Sequence, residues 1–599
     1  MTESVRIGCA SAFYGDSQLS ARQLVEKGNI DYLVFDYLAE TTMAILSRAR
    51  MRDENLGYAV DFVTVAMKDV VSDCAAKGIK VVANAGGVNV PGCIAALEAL
   101  CVELDIDLAI AGVYGDDLAD RGSELRDSGL AEMESGEPLP EKLASLNVYL
   151  GARPIADALS AGADIVVTGR VVDSAVVLGP LMYEFGWQAT DYDKLAQGSL
   201  AGHIIECGAQ CTGGNFTDWH LVPDFSNMSY PVAEVYADGR FVITIPHDTG
   251  GLVNVGTVAE QLLYEIGDPA NYLLPDVACD FSNVRLHQVD TCAVEVSGAT
   301  GRAPGLCYKV CGTYIDGYRL MGSFFMGGPR VADKIRTSLN AWVERTQRVF
   351  RDRGLPDYRE VSIEVIGAED TYGPHAKAGD TREAMGKYGL HHDSREALQF
   401  ASAEMAYLAT SATPGMSAFG AGRARPQPLM RVHSSLFPME QVPVKVQVGD
   451  TIVKNQAYRS PGESSPAPNS HIDVEKVDIQ DDWVEIELGR LVYARSGDKG
   501  PNANVGVIAR HRDYVGVLLN QLTAESVAAY FAHLLDGGVE RFEMPGMDAL
   551  NFVLTDALGG GGAGSLRVDS QGKSFAQMLL SMTVKVPPDI AESARGNWL

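Results

Sequence analysis

The sequence predicts an α/β fold: a parallel sheet built from repeated βα units, then a strand-rich middle region and a small C-terminal α+β domain. Five short runs, Val5–Ala10, Tyr32–Phe35, Lys80–Ala83, Leu108–Gly112 and Asp164–Thr168, are nearly all apolar, as strands buried on both faces must be. Amphipathic stretches such as Ser20–Lys27, Val60–Lys77 and Ile94–Leu104 separate them, which implies right-handed crossovers. Each run also ends in a cluster of Gly, Asn or Asp, the composition of a βα turn. A doubly wound sheet and a barrel both satisfy this pattern, and in both the ligand sits at the carboxyl ends of the strands.

From about Gly198 to Gly328 strand-like runs dominate, among them Phe241–Ile245 and Cys292–Val296. Ala332–Asp352 and Ser394–Leu408 read as amphipathic helices. The stretch from Gln427 to Trp483 has the proline-rich, polar composition of a linker, with a hairpin expected where Gly449-Asp450 joins Val444–Val448 to Thr451–Val453. Strand runs Val484–Tyr493, Asn504–Ala509, Glu540–Met544, Ala549–Leu554 and Met578–Val586, with a helix over Ala524–Leu535, fit a ferredoxin-like α+β unit. The expected domains are thus 1–426, a linker and hairpin over 427–483, and 484–599, which suits 599 residues at roughly 100–200 per domain.

The formal charge of −29 argues against nucleic acid and anionic membrane as partners. No apolar run approaches the roughly 18 residues of a membrane span, and the N-terminal residues carry no secretory pattern. Ten cysteines are too few for a disulfide framework, so reduced, mostly buried thiols and a cytoplasmic location are expected.

Candidate site residues follow from the strand ends. Asn84, Gly86, Gly87 and Asn89 form one Gly-rich turn, and Arg170, Asp173 and Ser174 follow another. Arginine grips a carboxylate or phosphate with its planar fork, and backbone N–H groups at helix starts favour anions. An internal Arg170–Asp173 ion pair is the competing reading. His203 and Glu206, three apart, share one face if they lie on a helix, which suits acid–base work. Thr212, Gly213, Gly214 and Asn215 form a further turn beyond them. His247 and Asp248 stand next to each other before Thr249, Gly250 and Gly251, a proton-transfer pair beside an anion cradle. In the C-terminal unit Arg495, Ser496, Asp498 and Lys499 are expected on one loop that binds an anion or docks onto the larger domain. Asp36, Asp116 and Asp117 are the candidate ligands for a Mg2+ ion, with helix capping as the alternative. The P-loop, dinucleotide-fingerprint, nucleophile-elbow and His-Glu-x-x-His patterns do not occur at these turns.

Several strings in order resemble the acyclic terpene utilisation protein A (AtuA) family: Asp31-Tyr32-Leu33-Val34-Phe35-Asp36-Tyr37-Leu38-Ala39-Glu40, Gly151-Ala152-Arg153-Pro154-Ile155, Thr168-Gly169-Arg170-Val171-Val172-Asp173-Ser174, Glu206-Cys207-Gly208-Ala209-Gln210 and His247-Asp248-Thr249-Gly250-Gly251. Arg495-Ser496-Gly497-Asp498-Lys499-Gly500 is similar to the ferredoxin-like domain that follows in that family. The resemblance implies a role in catabolism of acyclic terpenes and of branched acids as CoA thioesters, and it supplies no defined active site. The expectation is therefore a lyase or hydro-lyase on a small anionic substrate, an acyl-CoA or its derived acid. His247 or Glu206 would be the base, Asp248 would orient the histidine, Arg170 would hold a carboxylate, and Asn84 and Asn89 would stabilise an oxyanion. The competing expectation is a non-catalytic assembly subunit for acyl-CoA enzymes. In either case the strand-rich middle and the terminal domain would serve self-association as a homo-oligomer.

Overall fold

Five parallel strands carry the site. They are β1 (Ser4–Cys9), β2 (Tyr32–Phe35), β3 (Lys80–Ala83), β4 (Ile110–Tyr114) and, after β5 (Leu143–Val148) has left for another sheet, β6 (Ile165–Thr168). A computed structural model describes residues 3–417, 422–460, 462, 465–467, 470–475, 477–562 and 564–597. The parallel order is β1-β2-β3-β6-β4, in register through pairs such as Val34 with Val82 and Val82 with Val166. Alternate residues face opposite layers. Val5, Ile7, Val34 and Val82 pack with Ile155, Leu181 and Ile204 of helices Arg153–Ser160, Ala175–Phe185 and Tyr192–Ile205. Leu33, Phe35, Val81 and Ala83 pack with Leu24, Val71 and Leu97 of helices Ser20–Lys27, Lys68–Lys77 and Val90–Glu103. Two helical layers on an open sheet are the doubly wound arrangement. The barrel alternative fails because the path ends at Arg285–Asp290 on one side and Thr451–Gln456 on the other.

The strand-rich middle completes this sheet rather than forming a separate body. Val232–Tyr236 pairs antiparallel with β1, and Phe241–Thr244, Ala293–Ser297 and Arg285–Asp290 extend that edge. The expected hairpin forms as Val444–Val448 and Thr451–Gln456, and its first strand pairs with β4. A second sheet is built on the 21-residue strand Cys307–Gly327, which pairs with β5, Glu383–His392 and Gln427–Pro438. The helix Val331–Asp352 packs on it through Trp342 and Leu339, and Ser394 caps the helix Arg395–Glu404. Between 457 and 483 the described residues form no helix or strand; residues 461, 463, 464, 468, 469 and 476 lie outside them.

The C-terminal unit departs from expectation in three places. The run Val484–Tyr493 splits at a turn over Leu488–Arg490 into Val484–Glu487 and Val492–Lys499. Arg495, Ser496 and Asp498 therefore lie on a strand paired with Asn502–Ala509, not on a loop. The sheet order is Val492–Lys499, Asn502–Ala509, Ala549–Leu554, Val539–Met544. The last three are placed as strands one, three and two of a ferredoxin-like βαββαβ unit. The fourth position is taken by Val492–Lys499, and Thr583–Val586 pairs instead with Val484–Glu487. The expected helix Ala524–Leu535 forms under its Thr523 cap but ends at Tyr530, and a further helix, Val515–Gln521, precedes it.

No helix among the described residues is long and apolar enough to cross a membrane. All ten cysteines are free thiols; most are buried and Cys307 is exposed.

Candidate functional site

The strand order fixes where a ligand fits. The chain leaves β3 toward one helical layer and leaves β6 toward the other, so a crevice opens between these two neighbours at their carboxyl ends. Gly86 and Arg170 stand on its two sides. The Gly86 amide donates to the Thr168 carbonyl (3.0 Å), and a Cβ at Gly86 would lie 2.6 Å from that oxygen, so only glycine closes the turn.

Arg170 is 3% exposed. The next helix begins only at Ala175, with Ser174 as its N-cap residue, and the competing reading of Arg170, an ion pair with Asp173, forms at 2.6 Å. The guanidinium lies 4.1 Å over the Tyr149 ring, its Nη1 also donates to the Val171 carbonyl, and its Nε has no partner. Tyr149 donates to Glu40 (2.7 Å), and Lys309 approaches Glu40 at 3.6 Å. Burial alone would raise the Glu40 carboxyl, but Lys309 and Arg170 hold it well below the usual carboxylate range.

His203 and Glu206 come together as their spacing predicts. The helix Tyr192–Ile205 carries His203, Glu206 caps its end, and His203 Nδ1 lies 3.3 Å from Glu206 Oε1. They are 2% and 7% exposed. His203 Nε2 donates to the Leu262 carbonyl (3.0 Å), which leaves Nδ1 as the lone-pair nitrogen of a neutral ring. Burial lowers the imidazole to about 4. Burial, with Asp173 and Glu265 nearby, raises Glu206 well above the carboxylate range against the pull of Lys499 and Arg170. The state that fits is a neutral carboxyl whose O–H faces an imidazole lone pair. Asp36 is raised in the same way by burial, Asp173 and Glu206, and Asn84 braces it, donating to its carboxylate and accepting from the Tyr37 amide (2.6 Å).

The C-terminal domain closes the cluster. Arg495 stacks over Tyr264 at 4.8 Å, donates to the Asn215 carbonyl at 2.9 Å, and also donates to Gln210. Lys573 joins Asp498 (2.9 Å), Glu265 (3.2 Å) and the Tyr264 hydroxyl. Glu265 holds a left-handed backbone at φ 59°, a strained position that its amide bond to Asn504 (2.9 Å) helps to fix. The Lys499 charge bears on both His203 and Glu206, while its own side chain has no partner among the described residues. Ser496 stays inside its domain, bonded to Gly572 and Ala576.

Other candidates lie elsewhere or serve the fold. His247 and Asp248 pair with each other at 3.0 Å on the surface, 69% and 85% exposed, and neither touches the buried cluster. The Gly250 and Gly251 amides donate to Asn227 and Ser229, and Thr249 donates to the Pro246 carbonyl, so this turn spends its donors internally. Thr212 Oγ1 donates to the Ser229 carbonyl; Gly213 and Gly214 shape the turn on which Asn215 receives Arg495. Gly87 donates to Asn84, and Asn89 caps the helix Val90–Glu103. The expected Mg2+ set is not assembled: among the described residues no three His, Cys, Asp or Glu side chains are placed to share a metal ion. Asp36 follows β2 and Asp116 follows β4, with β3 and β6 between them, about 14 Å at normal strand spacing. Asp116 instead accepts from the Arg170 amide (2.8 Å) and Asn147 (2.9 Å), and burial raises it to about 7. Asp117 turns outward and accepts from the Ala119 amide.

Residues 5–448 match the family model for acyclic terpene utilisation family protein AtuA, and residues 486–585 match the AtuA ferredoxin-like domain. The chain belongs to the AtuA family. The two matches divide the molecule as the structure does: the first spans β1 to the 444–448 strand, and the second spans the domain that supplies Arg495, Asp498 and Lys573. No curated protein matches the chain. The AtuA family is implicated in acyclic terpene utilisation.

Proposed function

We propose that this AtuA-family chain is an enzyme, a lyase or hydro-lyase acting on a branched carboxylic acid or its CoA thioester. The observation that carries the reading is the buried His203–Glu206 pair, 3.3 Å apart in the same charge cluster as Arg170, where burial favours the neutral form of both. Arg170 receives the substrate carboxylate or thioester carbonyl, with its unpartnered Nε as the open donor. Its charge stabilises the enolate that dehydration and carbon–carbon cleavage both pass through. Glu206 is the proton donor, to the departing hydroxyl in dehydration or to the enolate carbon after cleavage. The proton the substrate loses in forming the enolate, from the α-carbon or from the hydroxyl respectively, goes to the His203 Nδ1 lone pair, so that the pair gives one proton and takes one in each turnover. His203, fixed by the Leu262 carbonyl, offers its lone pair to Glu206 and keeps the acidic proton oriented. The closing C-terminal domain keeps water from the cluster, which strengthens each of these interactions.

A strain lacking the chromosomal copy, complemented with wild type or Glu206→Gln and fed citronellol, tests this. The Gln variant is expected to accumulate the same branched acid or CoA ester as the uncomplemented strain, with turnover down by about 10²–10⁴. Wild-type growth without accumulation in the Gln strain would sink the enzyme reading in favour of an assembly role.

A further inference from the structure

One polar group beside the cluster has no work in the fold. Tyr272 comes from the two-residue strand Tyr272–Leu273 at the edge of a small sheet with Ala278–Asp280 and Thr300–Arg302. Its ring packs on His203 at 5.6 Å between centroids and on Phe281 at 5.3 Å, so the side chain is held against the proton-donor pair. Its hydroxyl makes no hydrogen bond with any described residue. The residue is half-buried and its hydroxyl is not one of the buried polar atoms left without a partner, so its O–H reaches solvent and does not bond within the protein. Others around this site do: Tyr149 bonds Glu40, and Tyr264 bonds Lys573. The acidic groups that bear on the Tyr272 phenol are Glu206, Asp173 and Glu265, the same acids that lie about His203. Burial and those acids push its pKa up and so suppress its ionisation, which makes the group a hydrogen-bond donor and not a phenolate.

We propose that Tyr272 is a further substrate-contacting residue, its hydroxyl donating to the carboxylate or thioester carbonyl oxygen held by Arg170. The inference rests on the functional reading above and sharpens it: the substrate presents an oxygen to two donors, one cationic and one neutral. A neutral donor adds geometric selection without adding charge, which favours a planar carboxylate or carbonyl over a phosphate.

The test uses the full-length protein with citronellate and citronellyl-CoA as probes. Binding is followed by calorimetry, and the tyrosine 13Cζ resonances by NMR in labelled protein. Tyr272→Phe is expected to keep the wild-type melting temperature and to weaken binding about tenfold, the size of one hydrogen bond. The 13Cζ signal missing from the Phe variant is expected to shift when probe is added to wild type, a response that a purely packing role would not give. Arg170→Gln serves as the control on the site itself. Loss of binding in Arg170→Gln with wild-type affinity in Tyr272→Phe, or with an unmoved Tyr272 signal, overturns the inference and leaves the functional reading standing. Undiminished binding by Arg170→Gln, or no binding of either probe by wild type, overturns both.

Discussion

Asp116 shows how burial sets protonation in this molecule. Taking its carboxylate out of water raises it to about 7 from a model value of 3.8, against two hydrogen bonds that favour the charged form. Between those values the native state holds a proton that the unfolded chain has released. Stability from this group is therefore complete below the unfolded value and falls as pH rises toward the native one. Asp116→Asn removes that slope. Urea denaturation should show the loss of stability between pH 5 and pH 8 shrinking by roughly 2–3 kcal/mol in the variant, about two units, from pH 5 to the native value, of about 1.4 kcal/mol each. An unchanged slope would mean that Asp116 is ionised in the native protein. His203 works in the opposite sense: lowered to about 4, it contributes stability that grows as pH rises from there through the ordinary histidine range. Arg170, His203 and Glu206 were legible as residues because local rules governed them, a strand end for the arginine and a three-residue helical spacing for the other two. The dipeptide His247-Asp248 carried as strong a chemical signal, but nothing in two adjacent residues says whether they face in or out.

The elements explain which partners stayed hidden. Tyr149, Glu40, Lys309, Tyr264, Glu265, Tyr272 and Lys573 reach the site from five separate pieces of chain, and no spacing in the sequence links them. Glu40 did lie in a quoted strand end, and Tyr149 precedes Gly151-Ala152-Arg153. Those were the available hints. The Gly-rich turns misled for a physical reason: a glycine amide is an anion donor only while it is free, and those of Gly86, Gly87, Gly250 and Gly251 are already donating. One glycine of the terminal hairpin matters more. A Cβ at Gly497 would lie 2.6 Å from the Tyr264 ring and 2.7 Å from Glu265 Cγ, so the hairpin meets the site through a residue with no side chain. Gly497→Ala is expected to cost about 1–3 kcal/mol by overpacking. Thermal or urea unfolding measures it, and a neutral substitution would show that the two domains do not pack this closely.

For the whole molecule, the βα alternation predicted the parallel sheet but not its order, because order depends on crossovers and edges that no local pattern records. The sheet is finished by strands from 232–297 and 444–456, far from β1 and β4 in sequence, and this is what leaves it open. The docked terminal domain is held by the buried Arg510–Asp218 pair (2.5 and 2.6 Å) and by Asn504 and Asn551, which donate to the Leu263, Ile266 and Gly267 carbonyls. The site thus exists only in the assembled chain: sheet crevice, His203 helix, Tyr264–Glu265 corner and terminal hairpin each supply part of it. We propose, from the burial that raises Glu206 and lowers His203, that Glu206 keeps its proton at neutral pH beside an unprotonated His203. Infrared difference spectroscopy of the full-length protein against Glu206→Gln reads that property directly. A protonated carboxylic acid signal present at pH 7 in wild type and absent from the variant is the predicted result, and a Glu206 carboxylate signal at pH 7 would contradict it.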